Sequence, residues 1–161
     1  MTGSGTCRDV CNDLGIDCQS SDLNENADAC DASAFPQQEF NFDWIHPSYW
    51  RQKLYTSDPR DLSQAPTLDA FLKRYKQLIE NCANALIHGG KLVILMGDYF
   101  DRETGFVSLT YHTKRIAFDL GLRQHCTDLI RFSHGTNSSR KVYRSSFIPG
   151  LHDVCMVFER G

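Results

Sequence analysis

Leu92-Val93-Ile94-Leu95-Met96 is the stretch that most limits what this chain can fold into. A continuous apolar run with no residue to face water suits a strand covered on both sides, which is the habit of α/β sheets. The preceding segment supplies a covering helix. Leu68, Phe71, Leu72, Tyr75, Leu78, Ile79, Cys82 and Leu86 recur at three- and four-residue steps behind Thr67, a natural N-cap. Gly89-Gly90 is expected to stop that helix. Ahead of it, Phe42-Asp43-Trp44-Ile45 reads as a strand closed by Pro47. The centre of the chain is therefore strand, helix, strand.

The flanks extend the pattern. Cys7, Val10, Cys11 and Leu14 share one helical face and Gly15 suits a helix end. Ile16 to Ser21 reads as a short strand; 23–41 is polar and irregular, with at most a brief strand at Cys30. Val107 to Leu120 reads as a helix ended by Gly121, Cys126 to Phe132 as a strand, and Val154 to Phe158 as the last strand. The expectation is one α/β domain over residues 1–161, a largely parallel sheet flanked by helices.

Composition excludes several classes. At 161 residues the chain can bury one core, and 41% hydrophobic with 23% charged residues is ordinary for a globular protein. No apolar run approaches the roughly 20 residues of a membrane helix. Met1-Thr2-Gly3-Ser4-Gly5-Thr6 has no signal-peptide pattern, so a cytoplasmic address is expected. The seven cysteines include no CxxC pair and read as reduced thiols in a core; the six histidines show no metal-ligand spacing. The net charge of −3 is uneven: residues 1–50 hold nine acids against one base, so the remainder carries +5. That remainder can face a polyanion.

Ligands in α/β sheets bind at the carboxyl ends of strands, and the polar motifs of this sequence fall at such ends. Gly3 and Gly5 allow a sharp turn and a close backbone approach before a helix N-terminus, although a short Gly-Ser-Thr stretch is by itself as compatible with a plain terminus. Asp22, after the next strand, can accept two hydrogen bonds from a ribose diol, or be a solvated loop acid. His46-Pro47-Ser48-Tyr49-Trp50 runs from a strand end into two aromatics, a platform for a planar group or a set of core side chains. Gly97-Asp98-Tyr99 follows the buried run and either lines the same cleft or makes a simple turn. Arg131, Arg140, Lys141 and Arg144 fall in an acid-free segment suited to phosphate contacts or to plain solvation. Neither a P-loop nor a Gly-x-Ser-x-Gly elbow is present.

In this order these residues resemble the N4-cytosine/N6-adenine DNA methyltransferases, a class I, Rossmann-like family using S-adenosyl-L-methionine (AdoMet). Met1 to Thr6 resembles the family's D-P-[FM]-x-G-S-G-T loop, so Thr2, Gly3, Ser4, Gly5 and Thr6 are implied in cofactor binding. Asp22 matches the ribose acid, and Asp31-Ala32 the acid-plus-small pair near the adenine. His46-Pro47-Ser48-Tyr49 stands where the family carries catalytic [D/N/S]-P-P-[Y/F/W]. Gly89-Gly90-Lys91-Leu92 resembles its GG turn, and Ile148 to Phe158 its closing hairpin. The resemblance implies methyl transfer to an exocyclic base amine of flipped-out DNA. Tyr49 would stack the base, Trp50 would lie beside it, and Arg140, Lys141 and Arg144 would contact the substrate. RNA or a protein amide is the alternative acceptor, and a weakened, binding-only relative the other alternative.

Three departures set further expectations. His46 replaces an oxygen acceptor, so activity should fall as pH drops through about 6.5. Ser48 replaces the second proline and loosens the platform. The family's first strand precedes the glycine loop and has no counterpart here. The fold is therefore expected to lack that strand, with Met1 an internal or fragment boundary, or with a homo-oligomer or partner segment supplying it.

Overall fold

Helix α2 (Leu68–Ala85) forms where the apolar spacing places it. Extended Thr67 accepts a hydrogen bond from the Ala70 N–H at 3.1 Å, satisfying one orphan donor of the first turn. Its buried face carries Phe71, Tyr75, Leu78, Ile79 and Cys82. The structure, a computed structural model, describes residues 5–36, 38–132 and 152–161. The chain passes from α2 directly into β2 (Leu86–Met96), so Gly89 and Gly90 do not stop the helix; they lie within the strand. Gly89 takes φ 77°, and the register against β1 (Phe40–Ile45) slips there: Phe40 faces Leu86 whereas Phe42 faces Lys91.

Strand β2 is central. It runs parallel to β1 and antiparallel to β7 (His152–Glu159). Strand β7 also pairs with β5 (Arg123–Gln124) and β6 (Leu129–Phe132), giving the order β1-β2-β7-β5 with β6 on β7. The sheet is thus mixed, which corrects the largely parallel expectation: beyond the β1–α2–β2 crossover, β6 and β7 run antiparallel. A small hairpin of β3 (Tyr99–Asp101) and β4 (Gly105–Val107) leads into α3 (Leu109–Asp119), so Val107 belongs to a strand and the helix starts two residues later. The strand expected over Cys126 to Phe132 forms only from Leu129.

One sheet face meets the helices. Leu92, Ile94, Met96, Met156 and Phe158 are fully buried with α2 residues, and the Tyr75 hydroxyl meets Thr113 Oγ1 of α3 at 2.9 Å. At the sheet margin β1 pairs, among the described residues, with β2 alone. On β1, Phe42 is 54% and Trp44 37% exposed.

Helix α1 (Thr6–Asp13) begins after Gly5 at φ 87° and closes through Gly15, whose N–H donates to Asn12 O at 3.1 Å with φ 65°. None of its residues is buried, so the apolar face read from Cys7, Val10, Cys11 and Leu14 lies open. Residues 16–21 form no strand. A strand needs a ladder partner, and the described residues place none between this segment and β1. Cys30 likewise lies in a turn. All seven cysteines are free, and Cys82 alone is buried, so scattered thiols are observed but mostly outside the core.

Candidate functional site at the carboxyl ends of the first two strands

Parallel β1 and β2 end side by side, at Ile45 and Met96, and their continuations, His46 to Tyr49 and Gly97, meet. His46 Nε2 and the Tyr49 hydroxyl are 3.1 Å apart, with the rings tilted at 58°. Gly97 packs tightly there: a Cβ would stand 2.8 Å from Tyr49 Cε2 and 2.5 Å from Asp153 Oδ1, so one of them would have to shift. Asp153 enters from the first residues of β7, on the side of Gly97 that Tyr49 also borders. Arg131, its cross-strand partner on β6, donates to Asp153 Oδ2 at 2.6 Å. Four chain segments thus converge on one corner.

The electrostatics follow from that packing. Burial, aided by the Arg131 charge and opposed by Asp153, holds the His46 imidazolium below its ordinary pKa of 6.5. Burial, then the Asp153 carboxylate, pushes the Tyr49 hydroxyl well above its usual value. At neutral pH the corner therefore presents an uncharged imidazole and an uncharged phenol beside an ion pair. Ser48 is 7% exposed, and its hydroxyl has no hydrogen-bond partner among the described residues.

Trp50 requires a correction. It is 1% exposed at φ 48°, and its indole N–H donates to Ala65 O at 2.9 Å. Its face is covered by the Arg51 guanidinium at 4.5 Å. It anchors the loop that follows the corner to the core, so its ring is not presented to a substrate. Arg51 in turn grips Asp101 with two hydrogen bonds, 2.9 and 2.8 Å, tying the β3–β4 hairpin to the corner. Asp98 accepts from Thr110 N–H at 2.8 Å and from the Ser108 hydroxyl at 3.1 Å. It caps α3, and Gly97 is the residue of Gly97-Asp98-Tyr99 that packs against Tyr49.

The segment 26–35 follows α2. Asn26 accepts from Arg60 in the loop after the corner, Asp28 pairs with Arg74, Ala29 O accepts from Asn81, and Ala32 and Phe35 line a cavity with Asn84 and Ala85. Asp22 therefore lies toward the corner end. Its carboxylate accepts from Asn24 N–H at 3.1 Å. Arg8 of α1 bonds Ser20 and Glu25, at 3.1 and 3.0 Å, which ties α1 to the segment that carries Asp22. Asp31 is carried the other way. It caps a turn through Ser33, whose hydrogen bonds hold its carboxyl below the usual range, and the structure does not bring it to the corner. Thr2, Gly3, Ser4, Arg140, Lys141 and Arg144 lie outside the described residues, as does most of the polar segment from Ser133 and the start of the closing hairpin.

The sequence reading missed Asp153 as a neighbour of Tyr49 and gave Arg131 to phosphate. Their pairing depends on the β6–β7 register, which no local spacing in the sequence reports.

No protein-family model and no curated protein matches the chain. Solved structures do. TTHA0409 of Thermus thermophilus, assigned as a DNA modification methylase, superposes with TM-score 0.59 at 19% identity, over 83% of this chain and 51% of that one. The chain has a methyltransferase fold. TTHA0409 in complex with S-adenosyl-L-methionine aligns with TM-score 0.58 at 18% identity, covering 83% and 53%. The cytosine-N4-specific PvuII DNA methyltransferase aligns with TM-score 0.51 at 11% identity, covering 81% and 45%. The chain spans about half the length of these structures. Among the described residues no helix is long and apolar enough to cross a membrane.

Proposed function

We propose that this chain carries the catalytic core of an AdoMet-dependent DNA methyltransferase that modifies an exocyclic base amine, adenine N6 or cytosine N4. The observation that carries the reading is the His46–Tyr49 corner, hydrogen-bonded at 3.1 Å where two parallel strands of a methyltransferase fold end. The cofactor fits the residues present. Gly5, at φ 87°, opens α1, and Arg8 ties that helix to the segment that carries Asp22. The Gly5 turn and α1 N–H groups would face the polar end of AdoMet, and Asp22 its ribose. When bound, AdoMet supplies an electrophilic methyl group.

The remaining work belongs to the chain. Tyr49 stacks a flipped base. His46, kept neutral by burial, accepts a hydrogen bond from the target amine. The Pro47 carbonyl accepts a second, which localises the nitrogen lone pair for in-line attack. Ser48, with its buried hydroxyl, stands at the platform's back. Arg140, Lys141 and Arg144 contact phosphates, and a partner segment or second copy pairs with the outer edge of β1. A transfer assay with labelled AdoMet on DNA, RNA and protein tests this reading: label in DNA amines is expected. Label confined to RNA or protein would replace the substrate, and binding without transfer would make the chain a methyltransferase-like binder.

A further inference from the structure

We infer that Asp101 and Arg51 are positioning residues that hold Trp50 in a left-handed turn and, through that turn, set Tyr49 against His46. Only the consequence for methyl transfer rests on the reading above; the bracing stands on geometry. The Tyr49 carbonyl accepts from the Gln52 N–H at 3.1 Å, closing a turn with Trp50 and Arg51 at its centre. Trp50, the first of the two, has φ 48°. That position suits Gly, Asn or Asp, and a side chain as bulky as tryptophan is strained there. Strain of this kind persists only where the surroundings over-determine it.

The surroundings are mostly the β3–β4 hairpin. The Arg51 guanidinium covers the indole at 4.5 Å, and Tyr99 meets it edge-on, with ring centroids 6.5 Å apart. Arg51 is fixed in turn by Asp101, to which it donates from Nε at 2.9 Å and from a terminal nitrogen at 2.8 Å. Asp101 is 7% exposed and is itself held: its Oδ1 also accepts from the Glu103 and Thr104 N–H groups, at 3.0 and 2.9 Å, and from the Thr104 hydroxyl at 3.0 Å. A forked, charge-assisted pair on so fixed an acceptor is directional as well as strong. Glu103, the second carboxylate on Arg51 at 2.7 Å, has a side chain 76% exposed and gives a looser hold. Loss of the Asp101 carboxylate leaves Arg51 with Glu103 alone, draws the guanidinium off the indole, and lets the turn relax toward negative φ. Tyr49, the residue before Trp50 and hydrogen-bonded across the turn, then leaves His46.

The test reads ring-to-ring proton cross-relaxation in NMR spectra of the 161-residue chain. His46 and Tyr49, with ring centroids 5.6 Å apart, report the corner; Phe71 and Tyr75, stacked at 5.5 Å in the core, report the fold. Asp101→Asn should weaken the His46–Tyr49 signal by about threefold or more and leave the Phe71–Tyr75 signal unchanged. Arg51→Lys keeps the charge but has no fork to place on a carboxylate; it is the milder variant and should act in the same direction. Asp28→Asn, which removes the Arg74 pair at 2.9 Å elsewhere, should leave both signals unchanged and so separates positioning from the general loss of an ion pair. A His46–Tyr49 signal that survives in both Asp101→Asn and Arg51→Lys, or that Asp28→Asn weakens equally, overturns the inference. So does an Arg51 Nε–H that, in the unsubstituted protein, exchanges with water as fast as that of an exposed arginine; slowing by about tenfold or more is expected. Asp101→Asn should also lower methyl transfer by about tenfold at unchanged AdoMet KM, because the platform is displaced and the cofactor site is not. If the ring signals behave as expected and the unsubstituted chain transfers no methyl group, the bracing is upheld and the methyltransferase reading falls.

Discussion

His46 stands where an oxygen would otherwise do the accepting, and this makes the corner answer to pH. The working form is the neutral imidazole; protonation removes its lone pair. Burial first, and the Arg131 charge second, keep the imidazolium below its ordinary pKa of 6.5, so the neutral form persists to lower pH than for an exposed histidine. Methyl transfer is therefore expected to hold level down to about pH 6.5 and to be lost on further acidification, with kcat/KM against pH as the measurement. A midpoint above about 7 would show that another group governs. Gly97→Ala addresses the same corner sterically. Its new methyl would meet Tyr49 Cε2 at 2.8 Å and Asp153 Oδ1 at 2.5 Å. The overpacking should cost about 1–3 kcal/mol in denaturant unfolding and reduce transfer, because the ring of Tyr49 must shift.

Helix α2 shows how an element is set by its ends and its stripe. Thr67 accepts from Ala70 N–H at 3.1 Å in an exposed setting. Thr67→Ala should lower stability by about 1 kcal/mol, read as a lower urea midpoint at constant slope, and leave the corner chemistry intact. The stripe was legible, and with it α2 and the core of β2. The helix end was not. Gly89-Gly90 has the signature of a stop, yet the chain continues as a strand from Leu86, because Arg160, just past β7, exchanges backbone hydrogen bonds with both glycines. Residues 16–21 show the converse: a fair strand pattern stays unpaired for want of a neighbour.

At the scale of the whole molecule, the open margin of β1 is the feature with consequences. Phe42 is 54% exposed on a strand whose outer edge has no strand partner among the described residues, the kind of surface that recruits another strand. Phe42→Lys should weaken concentration-dependent association in sedimentation, while thermal unfolding of the monomer moves by no more than about 0.5 kcal/mol. Association unchanged by the substitution would show that β1 is not the contact. The comparison structures, about twice as long, have room for further elements around the shared core.

The sequence by itself determined the strand–helix–strand centre, the turn at Gly5 and the corner from His46 to Tyr49. Each rests on side-chain periodicity or backbone chemistry that acts over a few residues. Only the tertiary structure decided that Trp50 is a buried anchor, that Asp31 is carried away from the corner while Asp22 is kept toward it, and that Asp153 and Arg131 face Tyr49. Those outcomes depend on strand register and on contacts between segments tens of residues apart, and local spacing holds no record of either.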